Sequence, residues 1–237
     1  MDPATFIVVG LVIATALTFD FTNGFHDTAN AMATSIATGA LKPKTAVVAA
    51  GTLNLVGAFL STEVAKTISG GIINEQMVTI GPEFILAGLI GAIIWNLVTW
   101  LVGLPSSSSH ALFGGLVGAV IVGAGVEGVN FGAVLAKVLI PALVSPLVAG
   151  FAAFVAVRLI FRIVRTMDEG QVELGFRHGQ TITACLVALS HGTNDAQKTM
   201  GIITLTLIAV GAQPSGSGPE LWVVAICGLA IALGTYM

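Results

Sequence analysis

The sequence predicts an all-α polytopic membrane protein built from an inverted-topology repeat, with broken helices and a re-entrant-like serine helix. Three observations carry that prediction. Of 237 residues, 55% are hydrophobic and 9% charged, and the mean hydropathy is +0.97. A water-soluble domain carries about 25% charged residues, so this chain cannot cover itself with polar surface and lipid must be the solvent for most of it. Two related polar stretches, FTNGFHDTAN at 21–30 and LSHGTNDAQK at 189–198, interrupt apolar runs. A proline and four serines, Pro105 to Ser109, interrupt another.

The apolar stretches place spans near residues 4–21 (running on through the first motif to about 41), 45–62, 84–104, 106–126, 131–157, 180–211 and 221–237. Helices are expected throughout, because a segment in lipid must satisfy its own backbone hydrogen bonds and the alternating pattern of a membrane strand is missing. The N-terminus MDPATFIVVG has no basic residue before its apolar run, so it reads as a retained span and not as a cleaved signal peptide. Lys42 and Lys44 follow the first span, and Arg158, Arg162, Arg165 and Arg177 surround the one long polar segment. The positive-inside rule then puts the N-terminus outside and the 164–179 segment in the cytoplasm. A net charge of −3 gives no reason to expect a nucleic-acid partner, and Cys185 and Cys227 lack the spacing of a metal site or a disulfide framework. The last span, Leu221 to Met237, stops without a polar flank, which predicts a truncated second repeat and a longer whole protein.

The motif copies align at one offset: Gly24 with Gly192, Asp27 with Asp195, Met32 with Met200. His26 then faces Asn194, Asn30 faces Lys198, and Asn23 faces His191. The first copy lies in crossing one and the second in crossing six, with five crossings before it, so the copies run in opposite directions. That arrangement belongs to secondary transporters, whose substrate sites lie at the repeat interface near the midplane. The expected divisions are a first membrane repeat at 1–163, a cytoplasmic linker at 164–179 and the incomplete start of the second repeat at 180–237.

An ionised Asp at the bilayer centre costs about 3 kcal/mol or more, so Asp27 and Asp195 need partners and point to function. The plainer reading makes them helix caps at membrane boundaries, since TNG and SHG are turn-like. Gly24 and Gly192 are expected to break their helices and free carbonyls, while Asn30 and Asn194 add neutral oxygens. Such oxygens suit a hard cation such as sodium, and a carboxylate alone can carry a proton. In GLPSSSSHALFGG, Pro105 fits a first helical position and Ser106, Ser107, Ser108 and Ser109 would fill the first turn. Orphan N–H groups with hydroxyls beside them, on the positive end of a helix, form a site for a tetrahedral oxyanion. His110 is assigned a structural role, and Asn96 and Thr99 either line the same cavity or bond between helices. Lys198 would pair with a carboxylate or touch the anion, and Lys137 would snorkel. Gly123, Gly125 and Gly128 spell a dinucleotide motif out of context, and Gly114 with Gly118 forms a pair suited to close helix packing. Carboxylates and an oxyanion repel each other in a low-dielectric site, so they can share it only when a cation arrives with the anion.

The pieces GFHDTANAMATSIATGALKP (24–43), GLPSSSSHALFGG (103–115) and SHGTNDAQKTMGI (190–202) resemble the inorganic phosphate transporter (Pit) family. The first copy departs from the family form G-A-N-D-x-A-N by carrying Phe25 and His26. The resemblance implies import of inorganic phosphate across the cytoplasmic membrane by symport with sodium or protons, in a multi-pass protein that is not an enzyme and holds no cofactor. Phosphate would then meet Ser106 to Ser109, Asp27, Asn194 and Lys198. The coupling ion would meet Asp27, Thr28, Asn30, Asn194 and Asp195, of which Asp27, Asn30, Asn194 and Asp195 would hold sodium. The expected partners are phosphate, the cation and the bilayer, with a homodimer left open. A sulfate permease of the same architecture is the nearer alternative. An intramembrane hydrolase using Ser108 or Ser109 with His110 is the remoter one, because neighbouring Ser and His on one helical turn point to different faces.

Overall fold

The structure is a computed structural model that describes residues 2–68, 81–104 and 106–237, without the side chains of residues 28–30 and 66–68. The expected roles of Pro105, and of the Thr28 and Asn30 side chains, therefore lie outside the described residues. Helix α1 runs Pro3–Ala37, with Asp2 capping it by accepting from the Thr5 amide at 2.7 Å and Pro3 preset for the first turn. It is followed by α2 (Pro43–Ala58), the short α3 (Glu63–Ile68), α4 (Pro82–Val102) and α5 (Ser108–Ala124). Helix α6 (Phe131–Val134) passes through a π-helical turn at Leu135–Leu139 into α7 (Ile140–Val164). The 41-residue α8 (Glu169–Ala209) and α9 (Leu221–Tyr236) complete the described elements, none of which is a β-strand. The segments Pro3–Ala37, Pro82–Val102 and Phe131–Val164 are long and apolar enough to cross a membrane, and α5 and α9 are shorter apolar helices.

Helices α1 and α8 form the spine, and their partners show how they run. Thr38 Oγ1 donates to Gln180 Oε1 at 2.8 Å, Asn23 Nδ2 to Asp195 Oδ2 at 2.9 Å, and Thr199 Oγ1 to Asp20 Oδ1 at 2.6 Å. Each step back along α1 is a step forward along α8, so the two helices are antiparallel and the motif copies face each other. The last turn of α1 is also held at its end, where Arg177 donates to the Gly39 carbonyl at 2.9 Å.

Both motif glycines differ from expectation. Helices α1 and α8 continue unbroken through Gly24 and Gly192. The missing side chains serve packing instead: a Cβ on Gly24 would strike the backbone of Ile231, Gly234 and Thr235 on α9, and one on Gly192 would strike the backbone of Asn54 on α2. Gly234 meets Phe21 and Gly57 meets Leu189 and Thr193 in the same way. Without a hydrophobic drive between helices in lipid, small residues at the crossing gain van der Waals contact. An unbroken helix keeps every backbone hydrogen bond, which lipid makes expensive to lose.

Helices α4 and α5 form an antiparallel hairpin, with Gly88 against Gly115 and Leu116, and Gly123 against the Phe84 ring. Gly103 turns the chain at φ +73°, a left-handed conformation that glycine adopts without strain. The tip touches the interior of α1: Trp100 stacks edge-on against Phe25 at 5.6 Å, and Ser108 reaches Asp27. Ten residues of α1, about 15 Å of helix, continue past that level. The stretches expected at 84–104 and 106–126 thus pair as an antiparallel hairpin whose tip lies against the middle of α1. Its close contact runs through Gly115, and a Cβ on Gly114 or Gly118 would meet nothing within 4 Å, so the expected Gly114–Gly118 packing pair is not one. The segment expected as a linker at 164–179 is mostly helix, since α7 ends at Val164 and α8 starts at Glu169, capped by Asp168.

Candidate functional site

Where α1 and α8 cross, Asp27, His191 and Asp195 place their ligating atoms within 4.8 Å of one another. His191 Nε2 lies 3.2 Å from Asp195 Oδ2 and 3.9 Å from Asp27 Oδ2. Its other nitrogen, Nδ1, is 3.2 Å from Asn54 Oδ1 on α2. The Asn54 amide nitrogen is spent on Thr235 Oγ1 at 2.7 Å, which turns its oxygen toward His191 and makes Nδ1 the donor. The imidazole is thereby aimed with Nε2 toward both carboxylates.

Each carboxylate has further partners. Asp195 accepts from Lys198 Nζ at 2.7 Å and from Asn23 at 2.9 Å. Asp27 meets His26 Nδ1 at 2.8 Å and accepts from Ser108 Oγ at 3.2 Å. The side chains are mostly sealed, with Asp27 19% exposed, His191 16%, Asp195 12% and Lys198 11%. Two carboxylates and a lysine share this small volume with an imidazole between them, so small changes in proton or cation content alter the local charge balance strongly.

The serine turn is arranged differently from expectation. Helix α5 starts at Ser108, with Ser107 as its N-cap, so Ser106 and Ser107 precede the first turn instead of filling it. Ser107 Oγ accepts from the His110 amide at 3.4 Å and meets His110 Nδ1 at 2.8 Å. A Ser–His contact therefore exists, between Ser107 and His110, as part of a helix cap. Ser106 accepts from Trp95 Nε1 at 3.0 Å. Ser108 is buried and carries the contact to Asp27, while Ser109 lines a cavity of about 630 Å³ with His110, Lys137 and Lys198. A second cavity of about 590 Å³ lies on the other side of the turn, bordered by Trp95, Ser106, Ser107 and His110. Lys137 sits in the π-helical turn, facing the first cavity.

A family model for the phosphate transporter family (PHO4) matches residues 23–237. The chain belongs to the phosphate transporter family. The family match takes in the second half of α1, the serine hairpin and α8, the elements that build the carboxylate cluster. A Mycobacterium bovis relative named "Probable low-affinity inorganic phosphate transporter" is 55% identical over 228 residues, covering 96% of this chain and 54% of the relative. A Bacillus subtilis relative of the same name is 43% identical over 229 residues, covering 97% of this chain and 68% of its own length. The chain thus spans about half the length of the first curated relatives it matches. The solved structure of "The sodium-dependent phosphate transporter" superposes with a TM-score of 0.87 at 22% identity, over 97% of this chain and 75% of that one, which shows the same fold. This member of the family is an integral membrane protein whose described elements are all helices, and its relatives are transporters, not enzymes.

Of the residues singled out from the sequence, the structure brings Asp27, Asp195, Lys198 and Ser108 together, with Ser109 one cavity wall away. Asn194 stands apart: it is exposed, and its amide donates to the Ser190 carbonyl of its own helix at 3.0 Å. His191, Asn54 and Asp20 were given no role by sequence reasoning. His191 had a signal, because it sits in the second motif opposite Asn23. Asp20 had one as well, a charge in an apolar run two helical turns before Asp27. Asn54 had none, since only the packing of α2 on α8 carries it to the site.

Proposed function

We propose that the protein imports inorganic phosphate across the cytoplasmic membrane by symport with sodium or protons. Its N-terminus lies outside, and the start of α8 is cytoplasmic. The observation that carries this reading is the hydrogen bond from Ser108 to Asp27 at 3.2 Å, which joins the anion turn to the ion cluster. Ser108 has one proton to give, and an oxyanion that takes it over from Asp27 sits about 5 Å from that carboxylate. At an effective dielectric near 20, two unit negative charges at that distance repel by about 3 kcal/mol. A cation or proton at Asp27 removes that penalty, worth roughly two decades in affinity, so each ligand makes room for the other. Phosphate is the favoured anion because the family and the relatives' names carry it, and the solved neighbour's name pairs phosphate with sodium.

Sodium would draw on the oxygens of Asp27 and Asp195, and a proton on the carboxylates themselves. An inverted repeat is supported by the antiparallel course of α1 and α8 and by their exchange of partners, α1 packing on α9 and α8 on α2. The decisive experiment is uptake of labelled phosphate by the reconstituted protein under an imposed sodium gradient or an imposed pH gradient. Accumulation driven by one of the two supports symport and names the cation. Uptake that only equilibrates refutes coupling, and uptake of sulfate in place of phosphate makes the protein a sulfate permease.

A further inference from the structure

Asp20 lies seven residues before Asp27 on α1 and is fully buried. One oxygen, Oδ1, accepts from Thr199 Oγ1 on α8 at 2.6 Å. The other, Oδ2, is buried with no hydrogen-bond partner. One turn along the same helix, the Asn23 side chain donates its amide to Asp195, and its own buried oxygen is likewise without a donor. This stretch of the α1–α8 interface thus has two sealed acceptor oxygens and too few protons to satisfy them. Buried polar groups left unpaired are costly, and a buried ionised carboxylate is more so.

We propose that Asp20 is a proton-binding site, carrying its proton on Oδ2 while α1 and α8 are packed as in this structure. Binding takes one proton from water and forms one O–H bond, with no other bond broken. The neutral acid keeps Oδ1 as the acceptor for Thr199 and converts Oδ2 from an orphaned acceptor into a donor. The charged and titratable groups facing Asp20 are Cys227 on α9, and Asp195 and Lys198 on α8. Lys198 is already paired with Asp195 at 2.7 Å, and Thr199, the residue that does reach Asp20, is neutral. The site is separate from the Asp27–His191–Asp195 cluster, and Asn23, one turn on, reaches that cluster by donating to Asp195. The proposal does not need the transport reading.

Infrared spectroscopy of the purified protein at neutral pH tests it, because a protonated carboxylic acid has its own carbonyl stretch, sensitive to deuterium exchange. That band is expected in the parent, in Asp27→Asn and in Asp195→Asn, and is expected to vanish in Asp20→Asn. Thr199→Val keeps the carboxyl and removes its hydrogen bond, so the band should move to higher frequency; this variant carries the test if Asp20→Asn does not fold. A band unchanged by both variants, or no such band in the parent, overturns the proposal. Loss of phosphate uptake with the band intact would count against the transport reading and leave the proton site standing.

Discussion

Adding one methyl group at Gly192 should do more harm than adding one anywhere on the exposed side of α5. In Gly192→Ala the new Cβ would lie against the backbone oxygen, Cα and carbonyl carbon of Asn54, atoms that cannot rotate away. Relieving the overlap moves α2 from α8 by about 1 Å, given ordinary contact distances near 3.5 Å. That shift stretches the His191–Asn54 contact, already 3.2 Å, past the range of a hydrogen bond. Overpacking costs about 1–3 kcal/mol, the lost bond about 1 kcal/mol, and the better helix propensity of Ala returns about 1 kcal/mol. A net loss of about 1–3 kcal/mol is expected from these terms. Gly118→Ala meets nothing within 4 Å and should be neutral or stabilising. Chemical denaturation of the purified variants, followed by helical circular dichroism, measures both. If Gly192→Ala unfolds at the same denaturant concentration as Gly118→Ala, the close crossing of α2 and α8 is wrong.

Asp195→Asn should abolish coupled uptake and cost about 3–5 kcal/mol of stability, because it leaves Lys198 buried without its partner; full activity in a flux assay would remove Asp195 from the mechanism. Ser108→Ala should weaken phosphate binding by about 10- to 100-fold. Ser106→Ala should weaken it less, since the Ser106 oxygen already serves Trp95, and equal losses in a binding titration would discard this ranking of the serines. In Gln197→Leu the amides of Val64 and Ala65 lose the oxygen they donate to at 2.7 and 3.3 Å. Faster hydrogen exchange confined to α3 is expected, at a cost of about 1–3 kcal/mol, and unchanged exchange there would contradict that contact.

The sequence alone determined that the chain is helical and lives in lipid, because hydropathy and charge density are sums over residues and need no geometry. It also marked Asp27, Asp195 and the serine run, since a polar group in an apolar run is expensive wherever the chain folds. The family followed from the same motifs. The conformation of the motif glycines did not. A glycine in an apolar helix can break it or let another helix approach, and only the backbones facing Gly24 and Gly192 decide for packing. Nor could spacing show that the turn between α4 and α5 lies against the middle of α1, because hydropathy gives the length of each apolar stretch and not which helix its end meets. The site's membership was decided by tertiary structure as well. Asn194 shares a motif with Asp195 but projects from another side of α8, whereas Asn54, distant in sequence, is carried to His191 by the α2–α8 crossing. A sequence records what each residue would cost in lipid, and the packing of helices decides which residues meet that cost together.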